Sequence, residues 1–170
     1  MKRKAIQAVV LSGLFAALTA FATSIAIPVP ITHGYVNLGD CMVILSGIVL
    51  GPMYGFLAAG IGSALADIIA GFILYSPATF FIKGLMALVV YLISGHSKKG
   101  LTVIKLTAAV IIAEIIMILG YFLFELCIYG GSSVSNIPGN CIQGIFGAVG
   151  TVVLSTVLCK SNLISKIKPH

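Results

Sequence analysis

Apolar runs, most of them near 20 residues long, follow one another along almost the whole chain and limit its possible folds more than any other feature. Their predicted limits are 5–27, 38–50, 53–73, 78–94, 101–129 and 139–158. A helix needs about 20 apolar residues to cross a bilayer, where its backbone must bond internally. Charged residues make up 8% of the chain, against roughly 25% in soluble domains. We therefore predict an all-α polytopic membrane protein with six transmembrane helices, forming one integral membrane domain over residues 1–170.

The basic residues fall on one side of this topology. All of them except Lys83 lie in the N-terminal leader, in the segment 98–105, or in the C-terminal tail. The connections on the other side, 28–39, 72–77 and 130–138, contain no Lys or Arg. Because positive charges collect in cytoplasmic loops, both termini are predicted to be cytoplasmic in a cell membrane. This placement explains the net charge of +6 without a nucleic-acid partner.

Polar side chains interrupt the apolar runs mainly in the outer half of the predicted bundle. Eight of them are candidate ligand-binding residues: Asn37, Asp40, Asp67, Tyr75, Lys83, Glu125, Asn140 and Gln143. A charge held in hydrocarbon costs about 3 kcal/mol or more, so it usually has a partner or a function. The inner half is nearly apolar apart from Glu114. This pattern favours an outward-facing pocket for a small polar molecule over a proton path through the membrane.

Each candidate also has a structural explanation. Asp67 and Lys83 flank one short turn at similar predicted depth, so they could form a buried ion pair. Asp40 opens the second span, where a carboxylate is suited to cap a helix. Glu125 could instead be in contact with solvent, and Tyr75 could anchor the protein at the membrane interface. Asn140 and Gln143 could bridge helices.

Small residues recur every four positions in the first span, at Ser12, Ala16 and Ala20. Residues at this spacing share one helix face and allow another helix to approach closely. The face is suited either to a partner protein or to packing inside the bundle.

The sequence contains no motif that predicts an enzyme or a metal site. The four cysteines have no CxxC spacing, and neither a Walker loop nor an HExxH motif occurs. We therefore predict no catalytic residue and no metal ligand, and any energy from ATP would have to come from a partner.

The order and spacing of several short segments resemble a known family. The basic leader and the Ala-rich first span precede Gly34-Tyr-Val-Asn-Leu-Gly-Asp40, Leu50-Gly-Pro-Met-Tyr-Gly55, Gly62-Ser-Ala-Leu-Ala-Asp67 and Pro77-Ala-Thr-Phe-Phe-Ile-Lys-Gly84. This arrangement resembles the substrate-binding S component of energy-coupling factor (ECF) vitamin transporters, in the riboflavin-type or hydroxymethylpyrimidine-type branch. The resemblance covers essentially the whole chain and is most specific over residues 34–84.

The resemblance implies a function as well as a six-helix bundle. S components bind a vitamin or precursor near the outer face, under a lid formed by the loop after the first helix, here with His33, Gly34 and Tyr35. Small residues of the first helix, here Ala16 and Ala20, would dock on a transmembrane T component. Two ATPase subunits complete the complex and hydrolyse ATP, so the chain itself needs no cofactor.

The substrate is predicted from the composition of the outer half. Three acids against one lysine disfavour a dianionic ligand, and the absence of Trp favours a ring smaller than a flavin. A pyridoxine-like or hydroxymethylpyrimidine-like compound is the expected ligand. Riboflavin, pantothenate and a queuosine precursor remain open. The alternative functions are a stand-alone transporter that couples protons through Asp67, Lys83 and Glu114, and a structural membrane protein without transport activity.

Overall fold

The computed structural model describes residues 2–25, 27–29, 34–94 and 103–160. Helices within these ranges are α1 (Lys2–Ser24), α2 (Gly39–Leu50), α3 (Pro52–Ile69), α4 (Ser76–Ser94), α5 (Val103–Tyr129) and α6 (Ile137–Lys160). A 3-10 helix, Gly130–Asn136, joins α5 to α6. The predicted helical class is confirmed, whereas six membrane crossings stay a prediction. The exception to the helical class is the first connection, where β1 (Ile27–Val29) and β2 (Gly34–Val36) pair in antiparallel fashion.

The helices present a broad apolar surface. Stretches apolar and long enough to cross a bilayer are Ala5–Ser24, Pro52–Ile69, Ser76–Ser94 and Ile104–Ser155, the last of which contains both α5 and α6. Large side chains on this surface are exposed, among them Phe21 at 68% and Ile104 at 78%. Continuous apolar exposure of this extent requires lipid as the solvent. The chain is therefore a multi-pass membrane protein.

Helix α2 occupies the centre of the bundle. It contacts α1, α3, α4 and α6, and all of its residues except Met42 are buried. Its 12 residues give a length of about 18 Å at 1.5 Å per residue, well short of a hydrocarbon core about 30 Å thick. The main hydrophobic core forms where Ile44 of this helix meets Met86 of α4 and Met117 of α5.

Close contact between α2 and α4 depends on one glycine. A Cβ added at Gly47 would collide with the carbonyl oxygen of Ala87. Two helix backbones approach this closely only where a side chain is missing. Ala87 follows Lys83 by four residues, so the contact holds α4 against α2 one helical turn from the polar residues described below.

Helix α3 ends earlier than its apolar sequence predicts. Gly71 adopts the left-handed conformation with φ at 86°, and the N–H of Phe72 donates to the carbonyl oxygen of Asp67 at 2.7 Å. This arrangement satisfies the last carbonyls of a helix and stops it. The helix therefore ends at Ile69 rather than at the predicted limit of the span 53–73. A hydrophobic run alone does not show where a glycine ends a helix.

Candidate ligand-binding site

A cavity of about 340 Å³ lies at the end of the bundle where α3 gives way to α4 and α5 gives way to α6. The cavity is lined by seven of the eight predicted binding residues: Asn37, Asp67, Tyr75, Lys83, Glu125, Asn140 and Gln143. Asp40 is the exception, since it is 1% exposed and lies behind Lys83. That the lining residues bind a ligand stays a prediction.

Nine further residues line the cavity without having been predicted: Thr23, Ser63, Phe72, Thr79, Met117, Tyr121, Ser135, Asn136 and Gly139. Helical spacing was the signal that could have found several of them. Ser63 precedes Asp67 by four residues, and Thr79 precedes Lys83 by four. Residues four apart on a helix share one face, so neighbours of a predicted cavity residue at that spacing also face the cavity.

One group of polar residues is connected by hydrogen bonds, and we name Asn37, Asp40, Lys83 and Gln143 the paired network. The Lys83 ammonium forms an ion pair with Asp40 Oδ1. Gln143 donates from Nε2 to Asp40 Oδ2 at 2.7 Å and accepts at Oε1 from the Asn37 backbone N–H at 2.8 Å. The network links α2, α4, α6 and the residue that follows β2.

The paired network corrects two structural explanations. The predicted pairing of Lys83 with Asp67 is wrong, because Lys83 bonds to Asp40 instead. Lys83 lies seven residues into α4 and Asp67 two residues before the end of α3, so they are about 10 Å and 3 Å from those helix ends. The oxygens of Asp40 bond to Lys83 and Gln143 rather than to the end of α2. The first N–H of that helix, of Gly39, donates instead to Asn37 Oδ1 at 2.9 Å.

A second group lines the same cavity with atoms left unbonded, and we name Ser63, Asp67, Glu125 and Asn140 the unpaired wall. Asp67 Oδ2, Glu125 Oε2, Asn140 Nδ2 and Ser63 Oγ are buried and have no hydrogen-bond partner among the described residues. Buried polar atoms are almost always bonded in native proteins, so each one needs an explanation.

Aromatic side chains border the unpaired wall. The Tyr75 hydroxyl donates to Glu125 Oε1 at 3.4 Å, and burial raises the pKa of this phenol, so it keeps the proton it donates. Tyr75 packs edge-on against Phe124, with ring centroids 5.3 Å apart. Lys83 Nζ lies 5.6 Å from the centre of the Tyr121 ring, which also lines the cavity. The cavity therefore combines carboxylates with aromatic faces.

The small residues of α1 divide between two surfaces. Ala16 packs against the cluster of Val49, Leu50 and Ala58, and a Cβ added at Gly62 of α3 would collide with its carbonyl oxygen. Ser12 and Ala20 are half-buried, whereas Gly13 and Ala17 are exposed. Internal packing thus accounts for Ala16, and the exposed small residues lie one position further along the helix.

The predicted lid is only partly described. Gly34 and Tyr35 belong to β2, where their backbone pairs with β1, and β2 contacts α6. His33 lies outside the described residues. The connection 28–39 was predicted as a loop, and its described ends form a ribbon that leads into Asn37 of the paired network.

Glu114 is 5% exposed, lies outside the cavity lining, and has no partner for either oxygen among the described residues. It faces Gly147 of α6, where an added Cβ would collide with its Oε1. The inner part of α6 also buries Thr151 and Ser155 completely. The half of the bundle that was predicted to face the cytoplasm is therefore less apolar than the sequence predicted. The described residues contain no group of three His, Cys, Asp or Glu that could hold a metal.

Comparison with known proteins decides what class of membrane protein carries this cavity. The chain matches the family described as ECF-type riboflavin transporter, S component, over residues 3–160. The chain belongs to this family. The resemblance found in the sequence is confirmed, and an S component is a subunit of a transporter and not an enzyme.

Two relatives of this S component carry names that specify no substrate. An uncharacterized protein from Pyrococcus woesei, named for a gap 3' region, is 33% identical over 135 residues, which are 78% of this chain and 88% of that protein. A UPF0397 protein from Streptococcus gordonii is 39% identical over 62 residues, which are 36% of this chain and 33% of that protein. The first similarity extends over most of both chains, and the second over about a third of each.

Proposed function

We propose that the chain is the high-affinity substrate-binding subunit of an ECF-type importer. It would capture a small water-soluble vitamin or precursor at the outer face and deliver it together with a T component and two ATPases. The observation that carries the proposal is a polar cavity with unbonded buried atoms in a member of the S-component family. The chain would need no cofactor of its own, since the ATPases hydrolyse ATP.

The orientation of the importer follows from the charges. With six membrane crossings and both termini cytoplasmic, the cavity lies at the outer end of the bundle, opposite the basic leader and tail. Lys83 lies seven residues after the start of α4, so in this orientation its Cα would lie about 10 Å below the outer end of that helix. A ligand would enter beside the β1–β2 ribbon, which we propose acts as the lid.

The size of the cavity supports a small ligand. Ligand sites usually enclose about 300–1,000 Å³, and this cavity lies near the lower end of that range. A single substituted ring, such as a pyridoxine-like or hydroxymethylpyrimidine-like compound, suits the volume. Tyr75 and Tyr121 supply the aromatic faces for stacking in a chain without Trp.

A proton-coupled transporter is the second candidate, and Glu114 is the observation that favours it. A carboxyl group in hydrocarbon with no bonded partner is typical of proton relays. This function would require substrate to cross the membrane without any ATPase.

Co-purification and transport separate the two functions. Tagged chain isolated from membranes should carry ATPase subunits and a bound small molecule that mass spectrometry identifies. Uptake of that molecule into proteoliposomes should require the complete complex and ATP. Uptake by the isolated chain, driven by a pH gradient, would contradict the proposal.

The same assay maps the docking face. Because Gly13 and Ala17 are exposed, Ala17→Leu should block close approach of a T-component helix and reduce the recovered ATPase. Ala108→Leu, at an exposed alanine on α5, is the matched control and should leave recovery unchanged. Equal recovery from both variants would exclude this face of α1 as the docking surface.

A further inference from the structure

The charges around the cavity are unequally neutralised. Lys83 is the one cation among the described lining residues, and its ammonium is already bonded to Asp40. Asp40 gives its second oxygen to Gln143. An anionic ligand would therefore have to compete with a buried carboxylate for Lys83, and leaving that carboxylate unpaired in hydrocarbon is unfavourable.

Two further carboxylates of the cavity, Asp67 and Glu125, form no ion pair within the described part of the chain. Glu125 is 5% exposed, and only its Oε1 is bonded, to the Tyr75 hydroxyl. Its Oε2 and Asp67 Oδ2 are buried without a partner in the part of the chain that the structure describes. Ionised carboxylates accept hydrogen bonds and attract positive charge, so these two atoms call for N–H donors on a ligand.

The unpaired wall also contains unbonded atoms that belong to neutral side chains. Asn140 Nδ2 is an unbonded donor and Ser63 Oγ can donate or accept, and both residues line the cavity. A ligand that satisfies the whole wall presents donors to the carboxylates and at least one acceptor to Asn140. The aromatic ring of Tyr75 beside Glu125 adds a face that also favours a cation.

We infer that the ligand is a small organic cation, a nitrogen heterocycle with a protonated amine or amidine group held between Asp67 and Glu125. The inference rests on the proposed function, because it specifies the substrate class of the same cavity. It predicts discrimination by charge: a cation is preferred to a neutral compound with the same ring, and an anion is rejected.

Three compounds with one ring test the inference: pyridoxamine with an aminomethyl group, pyridoxine with a hydroxymethyl group, and 4-pyridoxate with a carboxylate. Binding to the purified full chain is measured by calorimetry, with riboflavin as a fourth probe. Pyridoxamine should bind at least 10-fold more tightly than pyridoxine, and 4-pyridoxate most weakly, since a charge-assisted hydrogen bond contributes about a factor of 10 or more.

Variants locate the source of the preference. Asp67→Asn and Glu125→Gln should each reduce the pyridoxamine-to-pyridoxine ratio by about 10-fold. Retained pyridoxine affinity would show that each variant is folded. Glu114→Gln removes a buried carboxyl outside the cavity lining and should leave the ratio unchanged.

The outcomes distinguish this inference from the proposed function. Failure of pyridoxamine to bind at millimolar concentration, an unchanged ratio in both wall variants, or tighter binding of riboflavin or 4-pyridoxate would each overturn the cation inference. Recovery of the ATPases and ATP-dependent uptake test the proposed importer function independently of these binding measurements.

Discussion

The paired network and the unpaired wall meet at the same cavity, which Lys83, Asn37 and Gln143 line but the buried Asp40 does not. The hydrogen bonding of their polar atoms differs. In the paired network, Lys83, Asp40 and Gln143 bond to one another across three helices. In the unpaired wall, Asp67 and Glu125 each keep a buried oxygen without a partner among the described residues. A bonded network lowers the free energy of the fold, whereas unbonded buried atoms raise it. The difference supports the proposals that the network holds the helices together and that the wall binds a ligand.

This comparison also explains why a membrane protein retains both groups. A buried ion pair fixes the relative positions of its helices, and breaking it leaves one charge alone in a medium of low polarity. Unsatisfied polar atoms carry a free-energy cost in the unliganded protein that a complementary ligand can remove. Stability and affinity should therefore respond to different substitutions.

The largest effect is expected for Lys83→Met. Removing the ammonium leaves Asp40 as a buried unpaired charge and should lower the free energy of unfolding by about 3–5 kcal/mol. Adding Asp40→Asn to this variant should restore part of the loss. Denaturant unfolding in detergent measures both effects, with Lys105→Met, at an exposed lysine of α5, as the control. A loss no greater than that of the control would show that the ion pair does not stabilise the bundle.

An intermediate effect is expected for Gln143→Leu. The change leaves the Asn37 N–H and Asp40 Oδ2 without their amide partner, which should cost about 1–3 kcal/mol of unfolding free energy. Gln7→Leu, at an exposed glutamine of α1, controls for the loss of an amide. If the two leucine variants were equally stable, Gln143 would not contribute to the stability of the paired network.

The smallest effect on stability is expected for Asp67→Asn. Because Asp67 Oδ2 has no partner in the described part of the chain, loss of the charge should change the unfolding free energy by less than about 1 kcal/mol, or increase it. Asp40→Asn is the informative comparison, since it removes a bonded carboxylate and should destabilise clearly more. Equal losses from the two variants would remove the distinction between network and wall.

Much of the site could be predicted from the sequence because polar residues in hydrocarbon are few and their depth follows from the topology. Seven predicted residues do line one cavity. Depth, however, says nothing about which helices are neighbours. Asp40 and Lys83 were both predicted to bind a ligand, and the alternative partner considered for Lys83 was Asp67, because nothing in the sequence places α2 against α4.

The remaining differences come from short-range features that hydrophobicity does not report. Gly71 stops α3 before the end of its apolar run, so Asp67 lies two residues from the end of the helix. The connection 130–138 was predicted as a loop, but most of it folds as a 3-10 helix that brings Ser135 and Asn136 to the cavity. For Ala16, the four-residue spacing predicted a close helix contact without identifying α3 as the partner.

The shortness of α2 has a consequence for how the protein enters the membrane. A segment of 12 residues is too short to be integrated alone, and it continues through Gly51 directly into α3. The translocation machinery should therefore release the two helices into lipid as one unit. At that stage of synthesis Asp40 has no counter-ion, because Lys83 follows 43 residues later. The paired network and the cavity are thus completed only when α4, and then α6, leave the machinery and join the earlier helices.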